Sequence, residues 1–199
     1  MSLPKIGIII STTREGRFGE RAAKWLKQLT AGRTDVSFEI VDLRDYPLPF
    51  FDAPMSPRFK PVDSDAARKW SARIAELDGY VFVTAEYNRA ISGVLKNALD
   101  HIYFEPARKP AAFFGYGAVG AARAIEQLRL LTVELGMAPT RSGVHINMEP
   151  FLGLLRDAKD FGDFPYLAES ATVMLDELGW WTKTLKAGRD ADLAQAEAA

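Results

Sequence analysis

Ser11, Thr12, Thr13, Arg14 and Arg17 follow the apolar run at residues 5–10 and lead into Phe18 and Gly19. Three hydroxyls and two guanidiniums are the donors that suit a phosphate monoester, which carries close to two negative charges near neutral pH. If Phe18 opens a helix, the free N–H groups and the positive dipole end at that terminus add to the same anion site. A magnesium or phosphoacceptor site would want aspartates here, and only Glu15 is near. A second turn, Ala85, Glu86, Tyr87 and Asn88, follows the apolar run at residues 79–84 and offers an aromatic face and amide edges to a flat ring. Gly93 permits a close turn before the next helix. Each turn alone also fits a plainer reading, with Ser and Thr as helix caps, Tyr87 as a rim aromatic and Glu86 as a solvated charge. Together they point to a flavin site.

Gly115, Tyr116 and Gly117, with Gly120, spell a G-x-G-x-x-G between an apolar run and a helical period. That spacing marks a dinucleotide site when it occurs in the first strand–helix unit, with an acid about 20 residues on at the end of the next strand. Here it occurs in the fourth unit, and Glu134, near the right spacing, falls inside a helix. The glycines therefore read as a loop that approaches the ligand closely, and Arg123 as a residue that orients or caps it. His101 and His145 lie far apart without matching acids, so neither a metal pair nor a catalytic triad is expected. Trp180 and Trp181 fit core packing or, with a slight preference, a subunit interface.

The elements that must position these turns alternate. Residues 5–11, 79–84 and 110–115 are near-continuous apolar runs, as expected of parallel strands covered on both faces. Residues 36–43 alternate, with Val36, Phe38 and Ile40 against Ser37 and Glu39, the pattern of an edge strand with one wet face. A fifth extended segment spans 137–146 after Gly136. Helical periods run through Phe18–Leu29, Ala67 to Leu77, Val94 to Ile102 and Ala121 to Leu135. Alternating units with right-handed crossovers give an α/β fold, a flavodoxin-like three-layer sandwich with a five-stranded parallel sheet in order 2-1-3-4-5 and helices on both faces. In such a sheet ligands collect where loops leave the carboxyl ends of neighbouring strands at a switch point, so both turns should line one crevice. Residues 166–186 read as a terminal amphipathic helix. A single domain over residues 1–186 and a flexible tail over 187–199 are expected. The longest irregular stretch, residues 44–62, is rich in proline and aromatics, and loops of that length often serve a function.

The 25 basic and 26 acidic residues leave a net charge of −1, which argues against a nucleic-acid groove and makes any anion site local. Cysteine is absent, so disulfides, thiolate catalysis and Cys-ligated zinc are excluded, and the cytoplasm is the default location. The apolar run at the start is far below the ~18 residues needed to span a bilayer, and no membrane partner is expected.

Read together, these segments resemble the NADPH-dependent FMN reductase family, which includes quinone, chromate and azo-dye reductases on a flavodoxin-like fold. The family's phosphate loop is matched by Thr12, Arg14, Gly16 and Arg17, and its P-E-Y-N-x-S-x-P-G-x-L-K-N-A-x-D signature by Glu86, Tyr87, Asn88, Gly93, Leu95, Lys96, Asn97, Ala98 and Asp100. Its glycine loop is matched by Gly115, Gly117, Gly120 and Arg123, and its D-L-x-x-x-P-L-P stretch by Asp42, Leu43, Pro47, Leu48 and Pro49. Ser11, Ala85, Ala90 and Ser92 depart from the residues usual in the family. The resemblance implies FMN held without covalent attachment, NADPH or NADH as hydride donor, and a ping-pong transfer to a small acceptor such as a quinone, a flavin, an azo compound or a metal oxyanion. It also implies a homodimer or homotetramer with the flavin near the interface and the partner's 44–62 loop completing the pocket. A flavodoxin-type electron carrier, and a scaffold that has lost FMN, remain as alternatives. The chain lacks the strong acidity usual in such carriers.

Overall fold

Five parallel strands form one sheet in the order β2-β1-β3-β4-β5 in the computed structural model, which describes residues 3–198. The strands are β1 (Lys5–Ile10), β2 (Ser37–Asp42), β3 (Gly79–Ala85), β4 (Pro110–Tyr116) and β5 (Ala138–Ile146). Alternate residues of β1 feed opposite layers, because successive side chains of a strand point to opposite faces. Ile6, Ile8 and Ile10 pack with Phe18, Leu26 and Leu178, while Ile9 packs with Trp70, Leu77 and Leu95. The first layer is built from α1 (Phe18–Leu29) and α6 (Pro165–Glu197), the second from α2 (Asp65–Ala75), α3 (Gly93–Asp100) and α4 (Ala122–Glu134). Each covers one sheet face, which is why β3 and β4 are buried along their whole length.

The sheet order and the central strands match the expectation from apolar runs. At the edge, β2 is less wet than its alternation implied. Phe38 and Val41 are buried on opposite faces, and Glu39 is covered by Arg73 of α2 at 2.9 Å. A short helix that periodicity did not reveal, α5 (Met148–Arg156), follows β5 and lays Phe151 against the core. The terminal helix also runs past the expected boundary, through the segment assigned to a flexible tail. It continues because Arg189 reaches Asp78 at 2.7 Å and donates to the Arg108 carbonyl at 2.8 Å, and Arg108 pairs with Asp192. These polar ties carry no apolar period, so they leave no hydrophobic signal.

β1 and β3 are neighbours, yet the chain between them passes out through β2. Their carboxyl ends therefore open a crevice at the switch point. Ser11 extends the pairing by one bond, its N–H donating to the Val83 carbonyl at 3.1 Å, and beyond it both loops turn into that crevice.

Candidate functional site

The loop after β1 is held from behind. Arg17, whose side chain is only 2 % exposed, forms a paired contact with both oxygens of Asp42 at the end of β2, Nη1 to Oδ1 at 2.8 Å, and also donates to the Thr12 carbonyl. Arg44 donates Nε to the Thr13 carbonyl at 3.1 Å and Nη2 to the Arg14 carbonyl. Burial works against ionisation of Asp42, but hydrogen bonds from Arg17 and the Arg44 N–H outweigh it and leave the carboxyl below its ordinary value. The N–H groups of Thr12, Thr13, Arg14, Glu15 and Gly16 have no hydrogen-bond acceptor among the described residues. Arg14 forms no ion pair among the described residues, its guanidinium lying over the Tyr87 ring at 5.7 Å.

The loop after β3 is a two-residue hairpin. Tyr87 and Ala90 exchange N–H to carbonyl bonds at 2.9 and 3.0 Å, with Asn88 and Arg89 at φ of 50° and 69° between them. Both lie in the left-handed region that a type I′ turn demands, where asparagine is tolerated better than most residues. The hairpin is pinned to α4. Glu86 accepts from Arg123 Nε at 2.5 Å and from the Arg123 backbone N–H at 3.2 Å, and Gln127 donates to the Arg89 carbonyl at 3.0 Å. Burial alone would raise the Glu86 carboxyl, but the Arg123 hydrogen bonds and charge bring it below its ordinary value.

Two cavities of about 340 Å³ each open on either side of Arg14 and Tyr87. One is bounded by Arg14, Arg17, Phe18, Ala85, Glu86, Tyr87, Tyr116 and Gly117, with Phe151 and Leu155 of α5 closing a side. The other takes in Thr12 and Thr13 and is walled by Tyr46, Leu48, Phe50 and Val94. Asn97 holds that second wall in place, accepting from the Phe51 N–H at 2.9 Å and donating to the Pro49 carbonyl at 2.8 Å. Ser92 caps α3 by accepting from Leu95 N–H at 3.1 Å and donates its hydroxyl to the Ser11 carbonyl at 2.5 Å.

Four of the residues expected at the site line neither cavity. Ser11 is buried with its hydroxyl on the Ile9 carbonyl at 3.4 Å, so it serves its own strand. Asn88 is exposed and supplies turn conformation. Gly19 lies beneath the Tyr116 hydroxyl, which a Cβ would approach to 2.8 Å. Gly115 is a close-approach position, since a Cβ there would stand 2.3 Å from the Gly120 carbonyl oxygen. Arg17 borders a cavity, but its charge is already matched by Asp42. Both histidine rings meet backbone carbonyls, His101 that of Pro49 at 3.1 Å and His145 that of Gly120 at 2.9 Å. Sequence reasoning missed Arg44 and α5. The sequence Asn147-Met148-Glu149-Pro150 before an apolar run was a helix-start signal for α5, but nothing local marks the reach of Arg44 back to the first loop.

The residues fit an FMN molecule. Amides and a guanidinium that have no partner among the described residues suit its phosphate, and Gly117, at φ 130° with no atom within 4 Å of a Cβ position, leaves room at the cavity wall. Tyr116 stays a neutral wall group at physiological pH: burial pushes its hydroxyl up to about 12, against a 3.2 Å hydrogen bond with Thr12.

The sheet order and its covering helices define a flavodoxin-like α/β protein. Comparison with solved structures agrees: an NAD(P)H:acceptor oxidoreductase, FerB from Paracoccus denitrificans, superposes with a TM-score of 0.68 at 21% identity, covering 88% of this chain and 97% of its own. The NADPH-dependent FMN reductase family matches residues 4–149, and the chain belongs to that family. Relatives include an NAD(P)H-dependent FMN reductase of Nectria sp, 35% identical over 148 residues and covering 70% of this chain and 74% of the relative. A 2-hydroxy-1,4-benzoquinone reductase of a Burkholderia species is 36% identical over 135 residues, 63% of this chain and 68% of the relative. The protein is an FMN-dependent NAD(P)H oxidoreductase. Among the described residues, no helix is long and apolar enough to cross a membrane.

Proposed function

We propose that the loop of residues 12–16 and the Arg14 guanidinium hold the FMN phosphate, and that the flavin ring lies along Ala85, Glu86 and Tyr87 opposite Tyr116 and Gly117. The observation that carries this reading is the run of five unpartnered N–H groups beside an arginine that has no acidic partner among the described residues. When bound, FMN supplies two-electron redox chemistry between NAD(P)H and an acceptor. The chain's own task is to bind and orient. The hairpin pinned to α4 sets the height of the ring platform, Phe18, Tyr116 and Phe151 form an aromatic wall with centroids 5.1 to 6.0 Å apart, and the second cavity offers a mainly apolar lining beside it.

Both substrates would then use one exposed ring face in turn, which is a ping-pong cycle. The Leu48, Phe50 and Val94 wall favours a small planar acceptor of the quinone kind, the class acted on by the Burkholderia relative. Phe50, Phe104, Leu130 and Val133 are 85, 64, 74 and 60 % exposed beside or on α3 and α4, which supports a homodimer or homotetramer that covers them. A cytoplasmic enzyme would find its nicotinamide there. Steady-state oxidation of NADPH against a benzoquinone should give parallel double-reciprocal lines. Intersecting lines overturn the cycle, and failure to bind FMN at all overturns the cradle.

A further inference from the structure

Three consecutive carbonyls of the first loop face cations. Thr12 is held by Arg17, Thr13 and Arg14 by Arg44, and Asp42 anchors both arginines, accepting from Arg17 Nη1 at 2.8 Å and from the Arg44 N–H at 2.9 Å. In a planar trans peptide the carbonyl and the following N–H point in opposite directions. Fixing the carbonyls of Thr12, Thr13 and Arg14 on the Asp42 side therefore aims the N–H groups of Thr13, Arg14 and Glu15 to the other side, together. An isolated loop would spread these dipoles over many orientations.

We propose that Arg44 is a positioning residue for the cofactor phosphate: with its backbone N–H held by Asp42, its guanidinium fork orients two peptide planes of the loop after β1 so that their N–H groups converge on one anion. Arg17 serves the first plane in the same way and is not a phosphate ligand. Arg44 sits at the second residue past β2, in a position left open in the D-L-x-x-x-P-L-P stretch, so the device belongs to this chain's own side chains. This inference rests on the reading that the loop binds the phosphate.

The fork matters more than the charge. Arginine can donate in parallel to two carbonyls, whereas a lysine ammonium is a compact point charge without that geometry. Arg44 is exposed, so its removal leaves the core intact. Two freed peptide units must be reordered when the anion binds, and where the loop keeps part of its order without the fork this predicts FMN affinity lower by on the order of tenfold.

The test titrates the FMN-free protein with FMN and with riboflavin, which lacks the phosphate, following the quenching of flavin fluorescence for wild type, Arg14→Ala, Arg44→Ala and Arg44→Lys. Arg44→Ala is expected to weaken FMN about tenfold and leave riboflavin within about twofold, with Arg44→Lys close to Arg44→Ala. If Arg44→Lys restores FMN affinity fully, Arg44 acts as a charge and the positioning role is overturned. If Arg44→Ala binds FMN as wild type does while Arg14→Ala is weakened, the positioning role alone fails. If neither variant alters the preference for FMN over riboflavin, the phosphate reading fails and takes this inference with it.

Discussion

Truncating Arg14 to alanine isolates a guanidinium of the first loop that has no acidic partner among the described residues. A charge-assisted hydrogen bond from it to a phosphate contributes about 1.5–3 kcal/mol. Against this stands its place over the Tyr87 ring at 5.7 Å. At an exposed site that contact is worth about 0.5–1 kcal/mol and is weakened when the guanidinium turns to the phosphate. The difference, about 0.5–2.5 kcal/mol, corresponds to a dissociation constant raised from about twofold to about seventyfold. The loop itself should survive, because Arg44 holds the Arg14 residue through its backbone carbonyl. Isothermal titration of FMN-free protein with FMN measures the loss, and riboflavin serves as the control. The effect should also shrink at high salt, since the lost interaction is with an exposed anion. Equal weakening of FMN and riboflavin would place Arg14 at the ring, and an unchanged FMN constant would remove it from the site.

Arg89 holds a left-handed conformation at φ 69° in the Tyr87–Ala90 hairpin, so Arg89→Gly should relieve strain there and stabilise the protein by about 0.5–1 kcal/mol. Thermal denaturation should show a melting point raised by a few degrees, and a lower one would show that Arg89 earns its place by another contact. Lys109 is buried with Nζ on the Ile74 and Ala75 carbonyls at 3.1 and 2.8 Å, and burial, helped by the nearby Arg189 charge, brings its pKa down to about 8. The folded state then holds fewer protons than the unfolded chain between about pH 8 and about pH 10.4, so the stability of wild type relative to Lys109→Met should rise across that window and stay level below it. Urea unfolding of both proteins at several pH values measures the difference, and a constant difference refutes the shift. Asp35 is held at about 2 by its hydrogen bonds to Arg33, against burial and with help from Lys183 of α6. Its contribution is present in full above the unfolded carboxyl value of 3.8 and is lost as pH falls from there toward about 2. The stability advantage over Asp35→Asn should fade in that range, and an advantage that persists below it contradicts the pairing.

The strand–helix alternation was legible because burial on both faces writes itself into neighbouring residues. The runs at residues 5–10 and 79–84 placed β1 and β3, and with them the two turns at their ends. The loop after β1 and the Glu86–Tyr87–Asn88 turn could be placed at strand ends for the same reason. α5 was missed because nine residues are too few for a clear period. The extension of α6 was missed because polar ties to Asp78 and Arg108 hold it.

What the residue order determined by itself is the location of the crevice: local periodicity sets the strands, and the alternating units with their crossovers bring the ends of β1 and β3 together. Which side chains stay available in that crevice was a tertiary decision. Arg14 and Arg17 look equivalent as neighbours in a loop, but Asp42 stands 25 positions from Arg17 and reaches it only because β2 pairs with β1. Glu86 is likewise claimed by Arg123, 37 positions away, across the loops that follow β3 and β4. Electrostatic pairing acts through space and leaves no periodic trace, so the free cation and the committed ones are told apart only when the sheet is assembled.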